Sequence, residues 1–111
     1  MKSYLMLFKG GLDGEQSPEL WQTHMLDWKN WMDDLGKKGK LSGGQQLQKN
    51  GRVMTKENNQ IIDRPYAEAK EIVGGYLTVK AESQEEAMQL ANDCPIFKYD
   101  GSCEVAEIIE M

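Results

Sequence analysis

One long amphipathic segment limits what this chain can fold into more than any other feature. Ser17-Pro18 is a typical helix start, because serine can cap free backbone amides and proline at the first helical position loses no hydrogen bond. Large, mostly apolar side chains then recur at steps of three and four: Trp21, His24, Met25, Trp28, Trp31, Met32 and Leu35. This spacing predicts one apolar stripe on a helix from about Pro18 to Leu35, which Gly36 and Gly39 end. Such a stripe must pack against a second layer.

Four strand-like runs can supply that second layer. Residues Ser3 to Lys9 predict a buried strand, and Gly75 to Ala81 predict another with side chains alternating between two faces. Lys40 to Leu47 predicts a weaker strand, in which Gly43-Gly44 indicates a bulge or a close approach of backbone. Cys103 to Glu110 predicts the last strand.

Three shorter elements fit between these strands. Arg52 to Thr55 and Gln60 to Asp63 predict a hairpin joined by a turn at Lys56-Glu57-Asn58-Asn59, and Ala67 to Ile72 predicts a short helix. Ser83, with Glu86 three residues later, predicts a capping box that starts the second amphipathic helix. The apolar residues of that helix are Ala87, Leu90, Ala91 and Cys94, and Pro95 ends it.

The predicted order is therefore strand, helix, strand, inserted hairpin, strand, helix, strand. This is an α+β, ferredoxin-like split βαβ fold with an inserted β-hairpin, formed by a single domain over residues 1–111. Both helices would cover one face of the sheet. Aromatic and aliphatic residues on both faces of several strands favour a second subunit on the other face, so we predict a homodimer.

Composition excludes several classes of partner. The net charge of −5 on 111 residues argues against nucleic acid and against an anionic membrane surface. The apolar run Tyr4 to Phe8 is too short for a signal peptide or a membrane span. Cys94 and Cys103 lack zinc or redox spacing, so we expect reduced, packed thiols, a cytoplasmic location and neither a metal nor another cofactor.

His24, the only histidine, lies in the middle of the apolar stripe. A group that titrates near neutral pH needs a partner or a cavity when it faces the core. It is either a buried neutral histidine bonded to a backbone carbonyl or a general acid–base oriented by a carboxylate. Asp13, in the loop that feeds the helix, and Asp63, if the hairpin folds back, are the candidate carboxylates.

The segment Asp63-Arg64-Pro65-Tyr66 crowds two charges, a rigid proline and an aromatic ring. Asp63 either caps the turn or faces a ligand, and Arg64 and Tyr66 are candidate contacts for an anionic substrate. No phosphate-binding loop and no nucleophile motif occurs in the chain. Three glycine pairs beside strands, at Gly10, Gly43 and Gly74, would leave room for a pocket.

The segments YLMLFKGG, SPE, WKNWMDDLGKKGKL, GGQQL, DRPYAEAKEIVGGY and SQEEAMQLANDCP together resemble the YCII-related family, in its DGPF-domain branch. Asp63-Arg64-Pro65-Tyr66 stands where that branch usually has Asp-Gly-Pro-Phe. The resemblance implies a dimeric α+β barrel formed by packing of sheets. It also implies a cleft between helices and sheet, with an acid–base pair that corresponds to His24 and Asp13 in this chain.

Two hypotheses for function follow. The first is a small enzyme of lyase or isomerase type that acts on a small organic acid. In it His24 is the catalytic acid–base, Asp13 or Asp63 orients His24, and Arg64 and Tyr66 bind the substrate. The second is a non-catalytic dimeric module that binds a small ligand or a regulatory partner in the same cleft.

Overall fold

The computed structural model describes residues 1–12 and 16–110. Strands and helices follow the predicted order within these residues: β1 Lys2–Lys9, α1 Pro18–Lys37, β2 Leu41–Gln46, β3 Arg52–Glu57, β4 Gln60–Pro65, β5 Val73–Ala81, α2 Gln84–Ala91 and β6 Ser102–Glu107. Two short 3-10 helices, Ala69–Glu71 and Pro95–Tyr99, lead into β5 and β6.

Four strands form one sheet in the order β2-β5-β1-β6, and every neighbouring pair is antiparallel. Strands β1 and β5 are central although α1, β2 and the hairpin separate them along the chain. This is the split βαβ arrangement. Strands β3 and β4 form a separate two-stranded sheet, inserted between β2 and β5. The predicted α+β, ferredoxin-like fold with an inserted hairpin is confirmed.

Both helices pack on one face of the four-stranded sheet. Alternation along β1 puts Tyr4, Met6 and Phe8 on that face, where all three are buried. Met6 pairs in register with Leu77 of β5, and Leu77 is also buried in the core. The helices contribute the other half of this core: Trp31, Leu35, Ala87 and Ala91. The Trp31 indole N–H donates to the Leu90 carbonyl at 3.1 Å, which joins α1 to α2.

The helix starts follow the capping chemistry of the sequence. Ser17 Oγ accepts from the Leu20 amide at 3.2 Å, and Ser83 Oγ accepts from the Glu86 amide at 3.2 Å. A capping box has two hydrogen bonds, and the bond from the Glu86 amide to Ser83 Oγ is the one present. The Glu86 carboxylate pairs instead with Lys40 Nζ at 2.8 Å. Helix α1 runs two residues beyond the predicted end, to Lys37.

The β3–β4 hairpin has a tighter turn than predicted. Asn58 and Asn59 have positive φ angles of 50° and 64°, as a two-residue type I′ turn requires. Lys56 and Glu57, which we expected in the turn, therefore continue β3. Among the described residues no helix and no strand of the larger sheet packs closely against the hairpin. The hairpin is thus an arm attached to the domain rather than part of its core.

The second face of the four-stranded sheet has no cover among the described residues. Leu5, Leu7 and Tyr76 alternate with the core residues and are only partly buried. The molecule measures 48 × 43 × 18 Å, and its smallest dimension accommodates one sheet and one layer of helices. Within residues 1–12 and 16–110, neither α1 nor α2 is long and apolar enough to cross a membrane.

Replacing Leu35 with Ala should lower the free energy of unfolding by about 2–5 kcal/mol, because the side chain is 1% exposed and its removal leaves a cavity between α1 and the sheet. Urea denaturation measures this loss. Leu26→Ala in the same helix is the matched control, because Leu26 is 56% exposed, and it should change stability by less than about 0.5 kcal/mol. Equal losses in the two variants would contradict the described packing of α1.

Candidate functional site

A cavity of about 380 Å³ lies between α1 and the end of the sheet where β1 and β2 finish and β5 begins. Helix α1 provides its aromatic and thioether wall: Trp21, His24, Met25, Trp28 and Met32. The opposite wall comes mainly from the sheet: Phe8, Gly44, Gln45, Gln46, Gly74, Gly75 and Leu77. The α1 stripe thus lines the cavity from Trp21 to Trp28 and at Met32, whereas Trp31 and Leu35 lie in the core.

Glycines at the end of the sheet make room for this cavity. Gly44 has a φ of +158°, and a β-carbon there would collide with the Tyr76 carbonyl and with Leu77. A β-carbon on Gly75 would lie 2.8 Å from the Gln45 carbonyl oxygen. The register of β2 against β5 shifts between Leu41 and Gly43. These features confirm the bulge and the close backbone approach that Gly43-Gly44 predicted.

His24 is 3% exposed and lies among aromatic rings. The Trp28 indole N–H, one helical turn further on, donates to His24 Nε2 at 3.1 Å. The Tyr99 ring meets the imidazole edge-on, with centroids 4.9 Å apart. A backbone carbonyl, the partner expected of a buried structural histidine, does not bond His24 within the described part of the chain. The ring is therefore held by an indole donor and by aromatic packing.

The other ring nitrogen, His24 Nδ1, is buried and has no hydrogen-bond partner among residues 1–12 and 16–110. A buried polar atom without a partner costs about 1–3 kcal/mol, so native proteins seldom leave one. Asp13, one candidate partner, lies outside the described residues. Leu12, which precedes it in the chain, lines the same cavity as His24.

Burial lowers the pKa of His24 below its ordinary value of 6.5, because the charged imidazolium loses its hydration. The Asp27 carboxylate opposes this shift, and the Lys98 ammonium reinforces it. Lys98 Nζ and Asp27 Oδ2 form an ion pair at 2.7 Å, so Lys98 offsets much of the negative charge of Asp27. His24 is consequently neutral at neutral pH, the state in which a nitrogen lone pair can accept a proton.

Lys49 brings positive charge to the edge of the cavity. Its ammonium donates to the Leu12 carbonyl at 3.1 Å and lies 5.6 Å from the centroid of the Trp21 ring. Lys29 also lines the cavity, but it pairs with Asp33 at 2.8 Å. Lys49 was missed at the sequence level, because it lies in a linker without a motif or a periodic pattern.

The segment Asp63-Arg64-Pro65-Tyr66 lies on the hairpin arm. Asp63 accepts from Arg52 Nε at 3.0 Å and forms a second bond with Arg52 Nη2. Arg64 is exposed opposite Val53, and the Tyr66 ring lies against Gly51 at the base of the arm. Asp63, Arg64 and Tyr66 are not among the described residues that line the cavity of their own chain.

The two thiols lack the lowered pKa of reactive cysteines. Cys94 and Cys103 are free, and burial raises their pKa values to about 12 and about 11. Across residues 1–12 and 16–110, no group of three histidine, cysteine or carboxylate side chains is placed to hold a metal ion. The titratable chemistry of the described cavity therefore rests on His24 and the lysines at its edge.

Comparison with known proteins agrees with this architecture. The profile of the YCII-related domain matches residues 11–111, and the chain therefore belongs to the YCII-related family. Among curated proteins, no match was found. Membership of the DGPF branch stays a prediction.

One solved structure with the same fold is 5-chloro-2-hydroxyhydroquinone dehydrochlorinase from Burkholderia phenoliruptrix AC1100, in complex with 2,5-dihydroxybenzoquinone. It shares 17% sequence identity with this chain at a TM-score of 0.53. The match covers 98% of this chain and 95% of the dehydrochlorinase, so the likeness extends over the whole fold.

His24 should make the protein less stable in mild acid. Its pKa is lower in the folded chain than the unfolded value of 6.5, so its contribution to stability is complete above pH 6.5. Below that pH the unfolded chain binds a proton that the folded chain resists. Wild type should therefore lose up to about 1.4 kcal/mol per pH unit relative to His24→Met, until the pH passes the folded pKa.

Urea denaturation of both proteins between about pH 7.5 and about pH 5.5 measures this difference before most carboxylates titrate. His24→Met replaces the imidazole with a side chain of similar size that does not ionise. A stability difference that stays constant across the whole range would contradict a lowered pKa for His24.

Proposed function

We propose that the protein is a small enzyme of lyase or isomerase type that acts on a small organic acid, with His24 as its general acid–base. This proposal rests on the position of His24, which is almost fully buried and yet lines a cavity. Burial also lowers the pKa of His24. A neutral imidazole at the wall of a cavity of about 380 Å³ can take a proton from a bound small molecule and return it at another atom.

Asp13 is the carboxylate we assign to His24. Its neighbour Leu12 lines the same cavity, and Nδ1 of His24 has no partner in the described residues. A carboxylate bonded to Nδ1–H would orient the ring and stabilise the imidazolium that forms when Nε2 accepts a proton. Asp63 is the weaker choice because Arg52 already neutralises it on the hairpin arm.

The substrate that fits this cavity is a flat, ring-bearing anion. Aromatic rings of Trp21, Trp28 and Phe8 offer extended apolar contact, and Lys49 offers a positive charge at the edge. Lys49 takes the anion-binding role here in place of Arg64 and Tyr66, which lie on the arm. The dehydrochlorinase of similar fold is in complex with a dihydroxybenzoquinone, a molecule of this shape and acidity.

Chlorinated and unchlorinated hydroxyhydroquinones and hydroxy acids form the first substrate panel. Reactions run in deuterium oxide with two readouts: deuterium incorporation reports proton transfer at carbon, and chloride release reports loss of the leaving group in an elimination. His24→Gln and Asp13→Asn should each slow turnover at least about 100-fold, since each removes part of the acid–base pair. Asp63→Asn tests the rival assignment and should have little effect.

Thr23→Ala is the matched control for the helix, because Thr23 is exposed on α1 and does not line the cavity. Thermal shift measured alongside turnover separates catalysis from binding. Ligands that stabilise wild type and His24→Gln equally, with no turnover by either protein, would favour the alternative function of a non-catalytic ligand-binding module.

We propose that two chains associate through the uncovered face of the four-stranded sheet. Leu5, Leu7 and Tyr76 give this face partly buried apolar area, and sheet-on-sheet packing would bury it. The resulting homodimer is the dimeric α+β barrel that the family resemblance implies. A thickness of 18 Å accommodates the sheet and one layer of helices, so the second face of the sheet is available for such packing.

Leu5→Lys should convert the proposed dimer into a monomer, because the new charge would be buried between two sheets. Light scattering coupled to gel filtration should give wild type twice the mass of the chain and Leu5→Lys the mass of one chain. Met88→Lys, on the exposed side of α2, is the control and should leave the mass unchanged. A wild-type mass of one chain at all concentrations would rule out the dimer.

A further inference from the structure

We propose that Trp28 is a positioning residue that fixes the tautomer of His24, with the proton on Nδ1 and the lone pair on Nε2. The hydrogen bond from the Trp28 indole N–H to His24 Nε2, at 3.1 Å, carries this inference. Its importance for catalysis rests on the proposed function, whereas the tautomer itself can be tested without any substrate.

An indole N–H can only donate, so it can bond Nε2 only while that nitrogen is unprotonated. The neutral imidazole must then carry its single proton on Nδ1. Protonation of Nε2 would place two N–H groups against each other at the distance of a hydrogen bond. Trp28 therefore opposes protonation of Nε2 in the resting state and keeps the ring proton on Nδ1.

Trp28 is itself held firmly enough for this role. Its ring packs edge-on against Phe8, with centroids 5.0 Å apart, and against Trp31 at 5.7 Å. On the other side of His24, the Tyr99 ring restricts the imidazole. The indole cannot turn away from His24 without disturbing the packing of Trp28 against Phe8 and Trp31.

The arrangement also defines what a substrate must do. Trp28 and His24 line the same cavity, and the lone pair of Nε2 already accepts a hydrogen bond. An acidic hydrogen of the substrate must replace the indole N–H as the donor to Nε2 before it can be transferred. Trp28 thus keeps the basic nitrogen correctly protonated and oriented until a bound molecule takes its place.

Two charged groups among the described residues also act on the imidazole. Asp27 on α1 and Lys98 on the 3-10 helix Pro95–Tyr99 act on His24 in opposite directions and form an ion pair with each other. The Tyr99 ring contacts the imidazole through its edge. A change in the tautomer or the pKa of His24 on removal of the indole N–H can therefore be assigned to the loss of that hydrogen bond.

The experiment uses nitrogen NMR of the imidazole, which is unambiguous because the chain contains one histidine. In wild type at neutral pH, Nδ1 should give the signal of a protonated nitrogen and Nε2 that of an unprotonated one. Trp28→Phe keeps an aromatic ring but removes the N–H. It should shift the tautomer balance towards Nε2–H and raise the pKa of His24 by about 0.5 to 1.

Trp31→Phe makes the same chemical change one turn further along α1, where the indole bonds the Leu90 carbonyl instead, and it keeps an aromatic ring beside Trp28. It should leave the tautomer and the pKa of His24 as in wild type. Wild type with its proton on Nε2 would overturn the proposal even if Trp28→Phe does not fold. A folded Trp28→Phe with unchanged tautomer and pKa would overturn it as well. Loss of turnover in His24→Gln tests the enzyme proposal separately.

Discussion

Helix α1 is held on the sheet by one part of its apolar stripe, and the site depends on this uneven packing. Trp31 and Leu35 fill the space over the central strands, where β1 and β5 present large side chains. At the end of the sheet, Gly44 and Gly75 present none, because backbone of β2 and β5 approaches too closely for a β-carbon. The same regular stripe therefore fills the core at Trp31 and Leu35 and lines the cavity from Trp21 to Trp28 and at Met32.

His24 lies in the stretch that faces the cavity, and its surroundings favour the neutral ring in three ways. Burial removes hydration, the Trp28 donor requires an unprotonated Nε2, and Lys98 adds a positive charge. Asp27 alone opposes them among the described residues, and its ion pair with Lys98 weakens that effect. A second carboxylate at Nδ1 is what such a ring needs to accept a proton readily, which is why the assignment of Asp13 matters chemically.

The fold could be predicted because each element has its own periodicity or capping signal. The three- and four-residue spacing from Trp21 to Leu35 put His24 on the inner face of α1, and the structure has it there. The bond from Trp28 was within reach of the sequence, since residues four apart are neighbours on a helix. The donor and the acceptor atom of this bond could not be predicted from the sequence, because they depend on ring orientations set by Phe8 and Tyr99.

Contacts between distant segments had no such local signal. Lys49 reaches the cavity through a bond to the Leu12 carbonyl, across 37 positions of sequence. The pairing of Asp63 with Arg52 depended on the register of the hairpin, and neither spacing nor composition fixes a register. Helix periodicity therefore predicted the buried position of His24, whereas the contacts of Lys49 and Asp63 had no signal in the sequence.

Lys49 and Arg64 lie in different parts of the molecule. Lys49 lies beside the cavity with its charge against the Trp21 ring, where a flat anion could exchange contacts with both. Arg64 is exposed on an arm that no other described strand or helix covers. An isolated two-stranded hairpin is marginally stable in water. Arg64, on strand β4 of this arm, thus lies apart from the described cavity under α1 of its own chain.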